Sequence, residues 1–214
     1  MINQYAIKDL TVDDVFTFKV AICDNEVDRD FEVFPRASLD KMADLYIGKT
    51  IISNHSPKAE NQCARIYETE VVNSTGTTKN GEPYAQLVAH CYMVRTDSNK
   101  DLITEISAGI KKEVSVGCAI GSIVCSVCGT DNRHAYCKHL NGRDYDGKQC
   151  YFKLLNPQDA YEVSFVAVPA QPAAGVTKSY GGKEQEQHPT KNQEIEMKLA
   201  LTKSFIFTKE KMHE

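Results

Sequence analysis

The chain has 214 residues, 42% of them hydrophobic and 25% charged, with a net charge of −4. That length and balance suit a soluble domain with a full core and exclude a strongly basic protein built to bind nucleic acid or a membrane surface. No apolar run approaches the ~20 residues of a spanning helix, and the first residues lack a signal-peptide pattern, so a cytosolic chain is expected.

Met1 to Val12 is polar and weakly patterned, and the run Val15 to Cys23 is rich in β-formers and reads as the first core strand. Asp24 to Phe34 is an acidic loop. Pro35 then precedes a helix over 37–46, in which Leu39, Met42, Ala43 and Tyr46 recur at helical spacing and Gly48 is the stop. Thr50 to Ser53 is a short strand that delivers Asn54 and His55 into a loop. Two long strands, 64–72 and 84–94, are joined by a segment rich in turn residues, Asn73 to Gly76 and Asn80-Gly81. Asp97 to Asp101 opens a helix carrying Leu102, Ile103, Ile106 and Ile110.

The stretch Lys111 to Ser122 follows, and as a strand it has two unlike faces. Val114, Val116, Cys118 and Ile120 make an apolar face; Glu113, Ser115, Gly117, Ala119 and Gly121 make one so bare that another backbone fits against it. Ser115 on that face is either a nucleophile presented to an extended peptide or an ordinary serine on a tightly packed sheet. Short strands over 151–155 and 159–169 complete the folded part. The polar segment 181–193 reads as a linker, and 195–207 as a weakly ordered tail or a helix that forms against a partner. About seven strands with two or three flanking helices predict an α+β, mostly β domain with a barrel-like sheet.

The eight cysteines divide in two. Cys23, Cys63, Cys91 and Cys118 lie in apolar, strand-like runs and read as small buried hydrophobes. Cys125, Cys128, Cys137 and His139 form a C-x2-C-x8-C-x-H pattern, with Gly129 placed for a tight knuckle turn. These soft and borderline donors suit tetrahedral zinc, with Cys150 or His134 as alternative fourth ligands to His139. Four protein ligands make such a site structural, and 123–150 is expected to be an insertion pinned by the metal. A zinc deaminase is excluded because no His-x-Glu segment is present.

Three segments, in order along the chain, carry a resemblance. They are Ile51-Ile52-Ser53-Asn54-His55, Val114-Ser115-Val116-Gly117, and Glu162-Val163-Ser164-Phe165-Val166-Ala167-Val168-Pro169-Ala170. The chain resembles the prohead maturation proteases of tailed phages, which share a fold with the herpesvirus assembly proteases. The resemblance implies Ser115 as nucleophile, His55 as general base and Glu162 as the group that orients the imidazole, with His90 or Asp101 as alternatives in the third place. One departure is that Pro57 to Gln62 stands where family members often carry a glycine-containing turn.

The resemblance further implies a protease domain over 1–176, containing the 123–150 insertion, with 177–214 as linker and tail. The expected activity is a serine endopeptidase that cleaves phage scaffold and major capsid proteins, and its own tail, inside the assembling prohead in the host cytoplasm. Zinc would be structural, no cofactor would serve catalysis, and self-association is compatible with the resemblance. The alternative is a catalytically inactive, zinc-stabilised capsid-assembly or scaffold-binding module that keeps the protease fold.

Overall fold

The computed structural model describes residues 1–180. Among them, ten strands and two α-helices make an α+β, mostly β fold. Strand β1 (Val15–Asp24) is buried almost throughout, as its continuous apolar run requires. Strand β2 (Glu32–Val33) lies inside the acidic loop, where no strand is expected. Helix α1 (Arg36–Tyr46) begins just after Pro35 and buries Ser38, Leu39, Met42 and Tyr46. Gly48 stops it with φ of 81°, a backbone conformation open to glycine at little cost.

Strand β3 (Thr50–Ser53), β4 (Ala64–Thr77) and β5 (Pro83–Val94) follow. The second predicted helix is shorter than its pattern. Asp97–Asn99 is a 3₁₀ turn whose capping box pairs Thr96 with Asn99, and α2 (Lys100–Ser107) buries only Ile106 fully. Ile110, predicted on the same apolar face, lies beyond Gly109 and is exposed. Strand β6 (Val114–Cys125) carries the predicted apolar face into the core, where Val114 and Ile120 are buried and Val116 and Cys118 pack against them.

Strands β7 (Asp144–Tyr145) and β8 (Lys148–Gln149) form a separate small hairpin. The two strands predicted around Asn156-Pro157 are one, β9 (Phe152–Phe165). The ladder absorbs the apparent break as irregular register: Pro157 faces Ile120, and the pairing shifts between Gly117 and Cys118 and again between Ala119 and Ile120. Asn156 takes positive φ at that point. Strand β10 (Gly175–Tyr180) runs past the predicted domain end at residue 176. The predicted linker and tail over 181–214 lie outside the described residues.

The main sheet has eight strands in the order β10-β1-β5-β4-β3-β9-β2, with β6 on the other side of β9. It does not close into the expected barrel. Among the described residues an isolated bridge between Glu113 and Gly175, with Val114 N–H donating to Ala174 O and Val176 N–H to Lys112 O, joins its ends at one point. Phe16, Phe18 and Phe165 stack within the core, at 5.6 and 6.4 Å between successive centroids. Burying each such ring is worth about 1.5–3 kcal/mol.

Cys23 and Cys91 are buried in this core, and Cys63 and Cys118 pack against it. Burial pushes the Cys63 and Cys118 thiols up to about 11, so both stay protonated and inert near neutrality.

Candidate active site and metal centre

Strand β9 is the element on which the first site is assembled. It lies parallel to β3, with Thr50 opposite Glu162 and Ile52 opposite Ser164. On its other side it lies antiparallel to β6, with Ser115 opposite Ser164 and Gly117 opposite Glu162. Residues two apart on a strand share a face, so Glu162, Ser164, Ser115 and Gly117 lie together on one face of the sheet. His55 reaches that face from the end of β3.

The turn that brings it there uses no glycine. Asn54 and His55 both have positive φ, 54° and 49°. Left-handed backbone costs about 1–2 kcal/mol at a residue with a Cβ, and Asn and His are among the residues that tolerate it. The contacts that hold the turn are Asn54 N–H donating to Phe165 O at 2.9 Å and Ser56 N–H to Ser53 O at 3.1 Å. This turn precedes the 57–62 stretch, which itself contains a short 3₁₀ turn, Ala59–Asn61.

His55 Nδ1 lies 2.8 Å from Glu162 Oε1. The carboxylate is buried, whereas the histidine side chain remains 45% exposed. Gly117 explains how a carboxylate fits there: a Cβ at that position would overlap Glu162 Oε1. The bare face of β6 therefore accommodates a side chain from β9 at Gly117. At Gly121 it admits backbone, since a Cβ there would stand 2.8 Å from Asn156 O. From the core side, Tyr46 Oη donates to Gly117 O at 3.0 Å and fixes the strand where it shifts register.

Two serines face each other across the ladder, and their surroundings separate them. Ser164 is fully buried and its hydroxyl donates to Glu162 Oε2 at 2.6 Å. Ser115 is half-buried, and its hydroxyl makes no hydrogen bond among the described residues. Of the two, only Ser115 is placed to meet a molecule from outside. The alternatives for the third position are not at the site. His90 is held by Glu70 at 2.9 Å and Glu68 at 3.8 Å, and Asp101 stands exposed in the first turn of α2. The group on His55 is Glu162.

The second cluster lies at the far end of β6. Donor atoms of Cys125, Cys128, Cys137 and His139 all lie within 4.8 Å of one another. His139 Nδ1 is 3.8 Å from Cys125 Sγ and 3.4 Å from Cys137 Sγ, and the Cys128 and Cys137 sulfurs are 3.4 Å apart. Tetrahedral zinc with ordinary Zn–S and Zn–N bonds has ligand–ligand edges of about 3.5–3.8 Å, so these donors fit such an ion.

The backbone is arranged for thiolates. Val127 N–H points to Cys125 Sγ at 3.4 Å and His139 N–H to Cys137 Sγ at 3.3 Å. Gly129, at φ 73°, completes the knuckle and donates its N–H to Cys125 O. The Thr130 hydroxyl, 3.2 Å from Cys128 Sγ, is the chief reason that thiol is lowered to about 6. Burial pushes Cys137 and Cys150 up to about 11.

Cys150 is buried 3.8 Å from Cys125 Sγ but outside the quartet, and His134 is 80% exposed beside Asp131, so His139 is the better-placed fourth donor. Tyr145, unremarked in the sequence, supports His139 edge-on at 4.6 Å. At about 3.3 Å of rise per residue, Ser115 and Cys125 are roughly 30 Å apart along β6, so the two clusters are separate.

No protein-family model matches the chain, and neither a curated protein nor a solved structure matches it.

Proposed function

We propose that the protein is a serine endopeptidase of the tailed-phage prohead maturation type, acting on scaffold and capsid proteins as the prohead assembles in the host cytoplasm. The observation that carries the reading is the His55–Glu162 contact, seated over Gly117 and two residues along the same strand face from Ser115. With Nδ1 turned to the carboxylate, Nε2 is left to take the proton from Ser115 as its oxygen attacks a peptide carbonyl. The same nitrogen returns the proton to the leaving amine, and Glu162 holds the ring and stabilises the imidazolium. The metal that Cys125, Cys128, Cys137 and His139 would hold is zinc, whose part is to order the insertion.

The test is co-expression with the matching scaffold and capsid proteins, read by intact mass. Cleavage should occur with the natural chain and vanish in Ser115→Ala, and equal cleavage in both would overturn the reading. A second reading, an inactive assembly module with the same fold, is favoured by the missing Ser115–His55 hydrogen bond. Against it, catalytic hydrogen bonds often tighten only once substrate is bound. Such a module would bind scaffold equally well with Ser115 or His55 replaced, and would not react with serine-directed phosphonates.

A further inference from the structure

Ser164 has no part in the triad, yet it touches two of its members. Its hydroxyl accepts a hydrogen bond from the His55 backbone N–H at 2.9 Å and donates its own proton to Glu162 Oε2 at 2.6 Å. Glu162 Oε1 meets the His55 ring at Nδ1, 2.8 Å away. The contacts close a ring that leaves His55 through its backbone and returns to it through its side chain. Ser164 is the one member of that ring with no exposed surface.

We propose that Ser164 is a positioning residue that sets the tautomer and orientation of His55, by tying the histidine backbone and the Glu162 carboxylate to a single hydroxyl. The proposal rests on the reading of His55 as general base. A half-exposed imidazole has little packing to hold it, so its orientation depends on its hydrogen bonds. A carboxylate rotates easily about its last torsion. Anchoring Oε2 from β9 keeps Oε1 directed at Nδ1, which holds the proton there and leaves Nε2 free. The same hydroxyl fixes the left-handed turn at its second residue, so backbone and ring are aligned by one atom.

The register explains why serine serves here. Ser164 faces Ser115 across β6 and Ile52 across β3, in a completely buried place between two ladders. A hydroxyl there needs both a donor and an acceptor to be satisfied, and His55 N–H and Glu162 supply them.

The test uses the full chain with ¹⁵N-labelled histidine, the His55 resonances being assigned by their loss in His55→Ala. With the ring neutral, the natural protein should show His55 as a single tautomer, protonated at Nδ1. Ser164→Ala should show a mixture of tautomers and faster exchange of the Nδ1 proton. In cleavage assays kcat should fall on the order of 100-fold with KM little changed, as expected when a catalytic group is misplaced by an ångström or so. Should Ser164→Ala not fold, Ser164→Cys keeps the site filled with a weak donor and acceptor and carries the same expectation.

A variant with the natural tautomer and pH titration, altered only in melting temperature, would overturn the proposal by making Ser164 a plain core hydroxyl. The outcomes for the two readings separate. Continued cleavage by Ser115→Ala would sink the protease reading and leave the tautomer result standing. Loss of cleavage in Ser115→Ala with an unchanged tautomer in Ser164→Ala would do the reverse.

Discussion

The two ends of β6 carry two sites built in opposite ways. At Cys125 the donors come from one short stretch of chain, spaced by a knuckle turn, and the contacts among them are local. At Ser115 the participants come from β3, β6 and β9 and meet only because three strands hold one register. The knuckle has little apolar mass of its own (Cys125, Cys137, Cys150 and Phe152), whereas the Ser115 end stands on the main core. A metal therefore suits the first end as a source of order, and ladder pairing suits the second.

The largest effect that tests this contrast should come from disrupting the knuckle and stripping it of the zinc proposed there. Structural zinc contributes about 10–16 kcal/mol in isolated knuckle peptides. Cys137→Ala or a strong chelator should therefore unfold 125–150 locally, and hydrogen exchange should show lost protection there with Val114 to Gly117 still protected. Loss of protection at both ends would mean that the knuckle and the Ser115 face are one cooperative unit.

Next in size is Gly117→Ala, which places a methyl where Glu162 Oε1 lies. The carboxylate is a flexible tip and can move aside, so stability should change little. Under the proposed protease reading, cleavage should fall on the order of 100-fold as the His55 contact opens, with zinc binding at the distant knuckle unaffected. Near-natural activity in this variant would mean that Glu162 does not orient the base.

The smallest expected effect lies in the acidic loop. Burial raises the carboxyls of Asp24, Asp28 and Glu32 above their ordinary values. The native state then holds protons on these groups that the unfolded chain has already released, so the stability these three contribute is full below the ordinary carboxylate range and is lost as pH rises through the raised values. Asp24→Asn should flatten that decline in a series of urea titrations while leaving cleavage and metal content alone. An unchanged slope would assign the decline to Asp28 and Glu32.

Much of this architecture was legible in the residues. The β-rich runs gave β1, β3, β4 and β5, the helical spacing of Leu39, Met42 and Tyr46 placed α1, and cysteine spacing alone picked out the residues that cluster as a group able to hold a metal ion. What stayed hidden depended on partners distant in the chain. Asn156-Pro157 reads as a break, and only the long ladder with β6 shows that the strand continues through it. Gly117 reads as a bare position, and its purpose appears once Glu162 is seen opposite. Ser164 was in plain view two residues from Glu162, on the same strand face. That alternation was the available signal, but the hydroxyl's second partner is the backbone of residue 55, which no local pattern encodes.

The pairing of β6 with β9 has a consequence for how the chain can change. Cys125 faces Phe152 at the last rung, so residues 126–151 are topologically the turn of one long hairpin. A turn can be lengthened, shortened or exchanged without moving the rungs behind it. The segment with the cysteine cluster is in that sense a removable cartridge, and a two-residue Asn-Gly connection in its place would still hold Ser115 opposite Ser164 and Gly117 opposite Glu162.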